Sequence, residues 1–121
     1  MARFELTKGK GRTKVNLSAY YIGNDLVLFV YNDNAHIGAV AVGEYDHNEQ
    51  RTSTSVITRL GHKDDAIAQE VAHSITKRTK RPACAIVGIH IDSPTESEIN
   101  KILDNARALA NEFIGKNLEV K

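Results

Sequence analysis

The chain has 121 residues, 41% of them hydrophobic and 26% charged, with two prolines. Residues 1–121 therefore suit a single domain with one core, and neither a second domain nor a disordered or fibrous chain fits these figures. Sixteen basic residues against fifteen acidic ones leave a formal charge of +1, so no long-range field gathers polyanions, and nucleic acid is not implied as a partner.

The first half reads as strands. A weak pattern covers Arg3 to Thr7, and from Val15 to Tyr21 the apolar Val15, Leu17, Ala19 and Tyr21 alternate with more polar neighbours, the period of a half-buried strand. Gly23-Asn24-Asp25 supplies a turn. Leu26 to Tyr31 is continuously apolar, which predicts a central strand covered on both faces. After the turn Asn32-Asp33-Asn34 comes a strand of small residues, Ile37 to Gly43, which something must approach closely. A polar loop leads to Ser53 to Leu60, where Val56, Thr58 and Leu60 alternate with Ser55, Ile57 and Arg59. These five strands read as a meander.

Beyond Asp64 the period changes. Ile67, Val71 and Ile75, flanked by Ala68 and Ala72, form one apolar helical stripe that ends before Pro82. The basic run Lys77, Arg78, Lys80 and Arg81 suits the negative end of that helix. A second basic run, Arg3, Lys8, Lys10, Arg12 and Lys14, lies near the start. Ala83 to Ile91 is a strand with little polarity on either face, hence interior. Ser93 as N-cap, Pro94 at the first helical position and Glu96 three residues on predict the start of a last helix. Ile99, Ile102, Leu103, Ala106, Leu109, Ala110 and Phe113 form its buried stripe, with Gly115 to cap its end. The fold class is α+β: a mainly antiparallel sheet of about six strands, a β-meander followed by β-α-β-α, with two helices packed on it.

No apolar signal core follows Met1, and no window approaches the ~18 apolar residues of a membrane helix. With a single cysteine, Cys84, set among Ala83, Ala85 and Ile86, the expectation is a cytoplasmic protein with a core thiol and no membrane partner. Outer strands without a covering helix point to a homo-oligomer, most simply a dimer.

A strand–helix–strand crossover makes its two strands parallel. The strand ending at Leu60 and the one ending near Ile91 then finish at one edge, where the strand beginning near His36 starts. Three loops meet there, bringing Asn34, His36, His62, Lys63, Asp64, Asp65, His90 and Asp92 together beside two helix N-termini. Gly38, Ala39, Gly61 and Gly88 leave room beside them. Free N–H groups, a lysine and histidines make an anion site suited to phosphate, and a phosphate-bearing planar cofactor has that shape. Each part also has a plain explanation: a histidine at a strand end is often only hydrogen-bonded, and Asp64 and Asp65 suit a helix's first turn. His47 and His73 fall in an exposed loop and on a polar helix face. Zinc is the rival ligand, without HxxxH or CxxC spacing to support it. There is no GxSxG, GxxxxGK or GxGxxG motif, and Cys84 has no charged activator in sequence.

Asn34-Ala35-His36-Ile37-Gly38-Ala39-Val40-Ala41, Gly61-His62-Lys63-Asp64-Asp65 and Val87-Gly88-Ile89-His90-Ile91-Asp92 resemble, in order, the motifs of the prenylated flavin chaperone family, the LpdD-like proteins. Their fold is related to that of proteasome assembly chaperones. The resemblance spans roughly Asn34 to Ile102 and implies a non-catalytic chaperone, not an enzyme. Such a chaperone binds prenylated FMN, or FMN, and passes it to a UbiD-like decarboxylase. Its motif positions fall on His36, Gly38, His62, Asp64, Gly88, His90 and Asp92; Asn34 and Lys63 complete the candidate cofactor site. Two alternatives compete: a small metal-dependent hydrolase or isomerase using the same His/Asp edge, and an assembly chaperone that binds protein alone.

Overall fold

The computed structural model describes residues 3–60 and 64–119. Six strands, β1 (Arg3–Lys8), β2 (Val15–Ile22), β3 (Asp25–Tyr31), β4 (Ala39–Asp46), β5 (Arg51–Thr58) and β6 (Ala83–Gly88), form one sheet with two helices, α1 (Asp65–Thr79) and α2 (Glu96–Glu119). The spatial order is β1-β2-β3-β6-β4-β5. Every adjacent pair is antiparallel except β3 with β6. The class is α+β, as the change of hydrophobic period indicates. β6 is threaded between β3 and β4, so the hydrogen-bonded run of the first five strands divides into a β1–β2–β3 meander and a β4–β5 hairpin. The least polar strand thereby gains a partner on each side.

The register explains which residues are buried. One row across the sheet reads Leu6, Leu17, Val30, Val87, Ala39, and the next reads Phe4, Ala19, Leu28, Ala85, Ala41, Val56. The eight of these in β2, β3, β6 and β4 are fully buried. Helix α1 lies against β4, β5 and β6, and α2 against β1 and β2, with the helices in contact. The small residues Ala39, Ala41 and Gly43 admit α1 closely, as their composition anticipates. Ile67, Ala68, Val71, Ala72 and Ile75 are buried under it, as are Ile102, Ala106, Leu109, Ala110 and Phe113 of α2. Arg107 clips the helices together, donating from Nε to Glu70 Oε2 at 2.7 Å and from a terminal nitrogen to Oε1 at 3.0 Å.

The alternate rows carry a different message. They read Ser18, Phe29, Ile86, Val40, Ile57 and Tyr20, Val27, Cys84, Val42, Ser55. Val27, Phe29, Cys84, Ile86 and Val40 are half-buried, and Val42 and Ile57 are exposed. No element among the described residues packs helices on this face, so the continuous apolar run of β3 does not signal cover on both sides. Cys84 belongs to it, half-buried rather than in the core, and burial still pushes its thiol pKa up.

Several boundaries differ from the sequence expectation for local reasons. Strand β5 ends at Thr58, and Leu60 is 99% exposed instead of continuing the alternation. Helix α2 starts two residues later than expected: the reciprocal cap joins Thr95 and Glu98, with Glu98 N donating to Thr95 Oγ1 at 3.1 Å and Thr95 N to Glu98 Oε1 at 3.0 Å. Both Ser93…Glu96 and Thr95…Glu98 have capping-box spacing; Ser93 instead takes a positive φ of 44° in the approach to the helix. Ile99 is exposed rather than part of the buried stripe, and Gly115 lies inside the helix rather than at its end.

Candidate functional site

The parallel β3–β6 pair aligns Tyr31 with Gly88, and Ala39 faces both Val87 and Thr58. The ends of β3, β5 and β6 and the start of β4 therefore share one edge, as the crossover logic requires. Of the residues assigned to that edge, His62 and Lys63 lie outside the described residues, with Gly61. Asn34, His36, Asp64, His90 and Asp92 are linked by contacts within and between these loops.

Asn32, buried at the end of β3, organises the β6 loop. Its Nδ2 donates to the His90 carbonyl at 2.9 Å, and its Oδ1 accepts from the backbone N–H of His90 at 3.3 Å and of Asn34 at 3.1 Å. Asn34 Nδ2 donates to the same carbonyl at 2.9 Å. These bonds replace the ladder that β6 loses after Gly88. Asn32 was legible only as a turn residue; a buried Asn beside the edge is the signal the sequence could not show.

Gly38 and Gly88 do not leave empty room. A Cβ on Gly88 would overlap the His36 carbonyl, and one on Gly38 would overlap the Asp64 carboxylate. The space beside them belongs to neighbouring loops, and the glycines permit the closure. His36 Nδ1 lies 2.8 Å from the Asn34 carbonyl and its Nε2 lies 3.5 Å from Asp64 Oδ2. Asp64 is 6% exposed just ahead of α1, so a negative group already stands at that helix's positive end. Asp65 is exposed in the first turn. His90 Nε2 pairs with Asp92 Oδ1 at 3.0 Å, both exposed. Away from the edge, His47 is exposed beside Tyr45, and His73 Nδ1 lies 3.0 Å from Thr54 Oγ1.

Lys8, Arg12 and Lys14 of the N-terminal basic run are drawn into ion pairs. Lys8 meets Glu112 at 3.4 Å and Lys14 meets Asp33 at 3.2 Å. Arg12 donates to Glu98 at 2.8 Å and to the Asp92 carbonyl at 2.6 Å, tying the β6–α2 loop to the start of the chain. The Arg12 hydrogen bond, with that from the Thr95 N–H, holds the Glu98 carboxyl down at about 2. A carboxyl depressed in the folded state contributes stability above its ordinary range and loses it as pH falls toward the folded value. This contribution is therefore complete above about pH 5 and disappears between about pH 4.5 and 2. In urea titrations across that interval, the wild type is expected to lose more stability than Glu98→Gln; equal slopes would refute the linkage.

Among the described residues, clefts open on several sides of the edge. On the uncovered face, one of about 410 Å³ is bounded by Ser18, Tyr20, Phe29, Tyr31, His36 and Ile86. On the helix side, one of about 370 Å³ lies between Asp64, His90 and the aliphatic side chains Ile67, Ile89, Ile99 and Ile102. A polar one of about 420 Å³ is rimmed by Arg12, Lys14, Asn32, Asn34 and Asp92. His36 borders the first and meets Asp64 of the second. The aromatic cluster was hidden in the sequence because β3 reads as doubly covered; Tyr20, Phe29 and Tyr31 share a face only once the strands are in register. Among the described residues no three His, Cys, Asp or Glu side chains are grouped to hold a metal ion.

The model of the prenylated flavin chaperone LpdD-like domain matches residues 9–117. The chain belongs to this family. Its fold is also similar to that of a chain in the crystal structure of a chaperone complex for yeast 20S proteasome assembly, 15% identical, with a TM-score of 0.54 and coverage of 99% of this chain and 95% of that one. At that identity the likeness concerns the fold alone. No curated protein matches the chain. The family match covers all three loops of the edge and, of the basic run, Lys10, Arg12 and Lys14. No helix among the described residues is long and apolar enough to cross a membrane.

Proposed function

We propose that this protein is a non-catalytic chaperone that binds prenylated FMN at the loop-bearing edge of its sheet and hands it to a UbiD-like decarboxylase. The observation that carries this is the family match over residues 9–117; the convergence of the motif loops on one edge supports it. In this reading Asn34, His36, His62, Lys63, His90 and Asp92 supply polar contacts, with the phosphate among His36, Lys63 and His90. Gly38, Asp64 and Gly88 serve by holding the loops closed. The protein acts in the cytoplasm as a homo-oligomer, most simply a dimer, since β1 and β5 are free edges of the sheet.

Co-expression with a flavin prenyltransferase is expected to yield protein that carries a flavin chromophore and restores activity to an apo-decarboxylase. Titration of flavin phosphates against His36→Ala, His62→Ala and His90→Ala tests the edge directly. His90 is the cleanest, because its backbone is what Asn32 holds while its side chain is 60% exposed. Losing a contact to a charged group there weakens binding by about 1–3 kcal/mol and leaves the circular dichroism unchanged. Wild-type affinity in all three variants would return the histidines to purely structural roles.

A further inference from the structure

We infer that the flavin ring system lies on the uncovered face of the sheet, in the cleft floored by Phe29 and Ile86 and walled by Tyr20, Tyr31 and the 35–37 segment. This rests on the flavin-binding function proposed above and adds the place and mode of ring recognition.

An isoalloxazine is a wide, planar, largely apolar ring system with hydrogen-bonding groups along one edge, and prenylation enlarges its apolar part. It calls for an aromatic or aliphatic wall with a few polar groups at one side. Among the described residues lining these clefts, Phe and Tyr rings occur in the one on the uncovered face. Tyr20 and Phe29 stand edge to face, with centroids 5.7 Å apart and planes at 85°. Tyr31 presents its hydroxyl 3.3 Å from Ser18 Oγ, a pair in which either atom can donate. Apolar Ile37 and Ile86 and polar His36 complete the lining.

The competing clefts fit less well. The helix-side cleft has aliphatic walls, Ile67, Ile89, Ile99 and Ile102, and its described lining includes no Phe or Tyr to stack on the ring. The Arg12 cleft is rimmed by charged and amide groups without a ring. Two features of the fold produce the aromatic cleft. The absence of a helix on this face leaves Phe29 and Ile86 available. Gly88 lets the His36 backbone cross beside the last residue of β6, which raises a wall next to Tyr31. His36 thus stands where the ring cleft meets the polar edge, so one ligand reaches both.

The test is titration of FMN and prenylated FMN against the full-length protein, read by quenching of flavin fluorescence. Phe29→Leu and Tyr31→Leu keep apolar bulk in β3 but remove the rings. Each is expected to weaken binding about tenfold, the scale of one lost aromatic contact, and to lessen the quenching. Ile99→Ala, in the helix-side cleft, is expected to bind as the wild type does. A measurement without variants accompanies these: on saturation with FMN, the ring protons of Tyr20, Phe29 and Tyr31 should shift in the NMR spectrum. If the Leu variants bind as the wild type does, or those protons stay in place while FMN binds, the ring lies elsewhere and the flavin-binding proposal survives. If Ile99→Ala alone weakens binding, the ring belongs in the helix-side cleft. If the wild type binds neither flavin, the proposed function itself fails, and this inference with it.

Discussion

Replacing Gly88 by alanine is expected to lower stability by about 1–3 kcal/mol, the usual cost of forcing extra volume into a packed position, and to abolish ordered closure of the edge. The new methyl group would overlap the His36 carbonyl and crowd its backbone nitrogen. Both sides of this contact are main chain, so no side-chain rotation relieves it; either β6 or the 35–37 segment must move. Gly88 pairs with Tyr31 in the parallel ladder, and the next β6-loop residues depend on Asn32. A shift here therefore reaches His36, Tyr31 and the His90 carbonyl together. The helical stripes are untouched, so the variant should fold with a Tm lower by several degrees and with faster amide exchange confined to 32–38 and 88–92. Thermal melting and hydrogen exchange check this, and a wild-type Tm would mean that the two segments do not pack so closely.

The Phe113→Ala variant probes the core that supports the edge, and a loss of about 3–5 kcal/mol is expected. Phe113 is fully buried, with its ring edge-on to Phe4 at 5.5 Å and 84°. It lies where α2 meets β1 and β2, far in sequence from the motif loops. Truncation removes most of its buried surface and leaves a cavity between a helix and a sheet that cannot both collapse. A domain of this size typically has 5–15 kcal/mol in total, so much of its stability depends on this ring. Urea denaturation should show a large drop in midpoint at unchanged slope. Ile99→Ala, on the same helical stripe but 45% exposed, should change the midpoint little. Comparable losses in both would show that the stripe is not buried as described.

What was legible in the sequence is what depends on neighbouring residues along the chain. Alternation in Val15 to Tyr21, the four-residue recurrence of Ile67, Val71 and Ile75, and the turn residues between them specify strands and helices without knowledge of partners. The handedness and parallelism of a crossover carry that local information one step further, and so the meeting of His36, Asp64 and His90 loops at one edge could be inferred. Motif order along the chain pointed to the family by the same linear information.

Tertiary structure decided everything that depends on which strands become neighbours. Nothing local says that β6 inserts between β3 and β4, because an apolar strand pairs equally well with several partners and the choice is settled by how the helices cover the sheet. That insertion aligns Leu28 with Ala85 under the helices and leaves Phe29 and Ile86 on the open face. An apolar run such as Leu26 to Tyr31 reads the same whether one face or both are covered. The roles of Gly38 and Gly88 were equally invisible: a glycine signals space, and only the fold determines whether a ligand or another part of the chain fills it. Thr95 prevailed over Ser93 as the cap of α2 for the same reason, since two equivalent local signals were resolved in a fold where Arg12, 86 positions from Glu98, holds that carboxylate at the helix start.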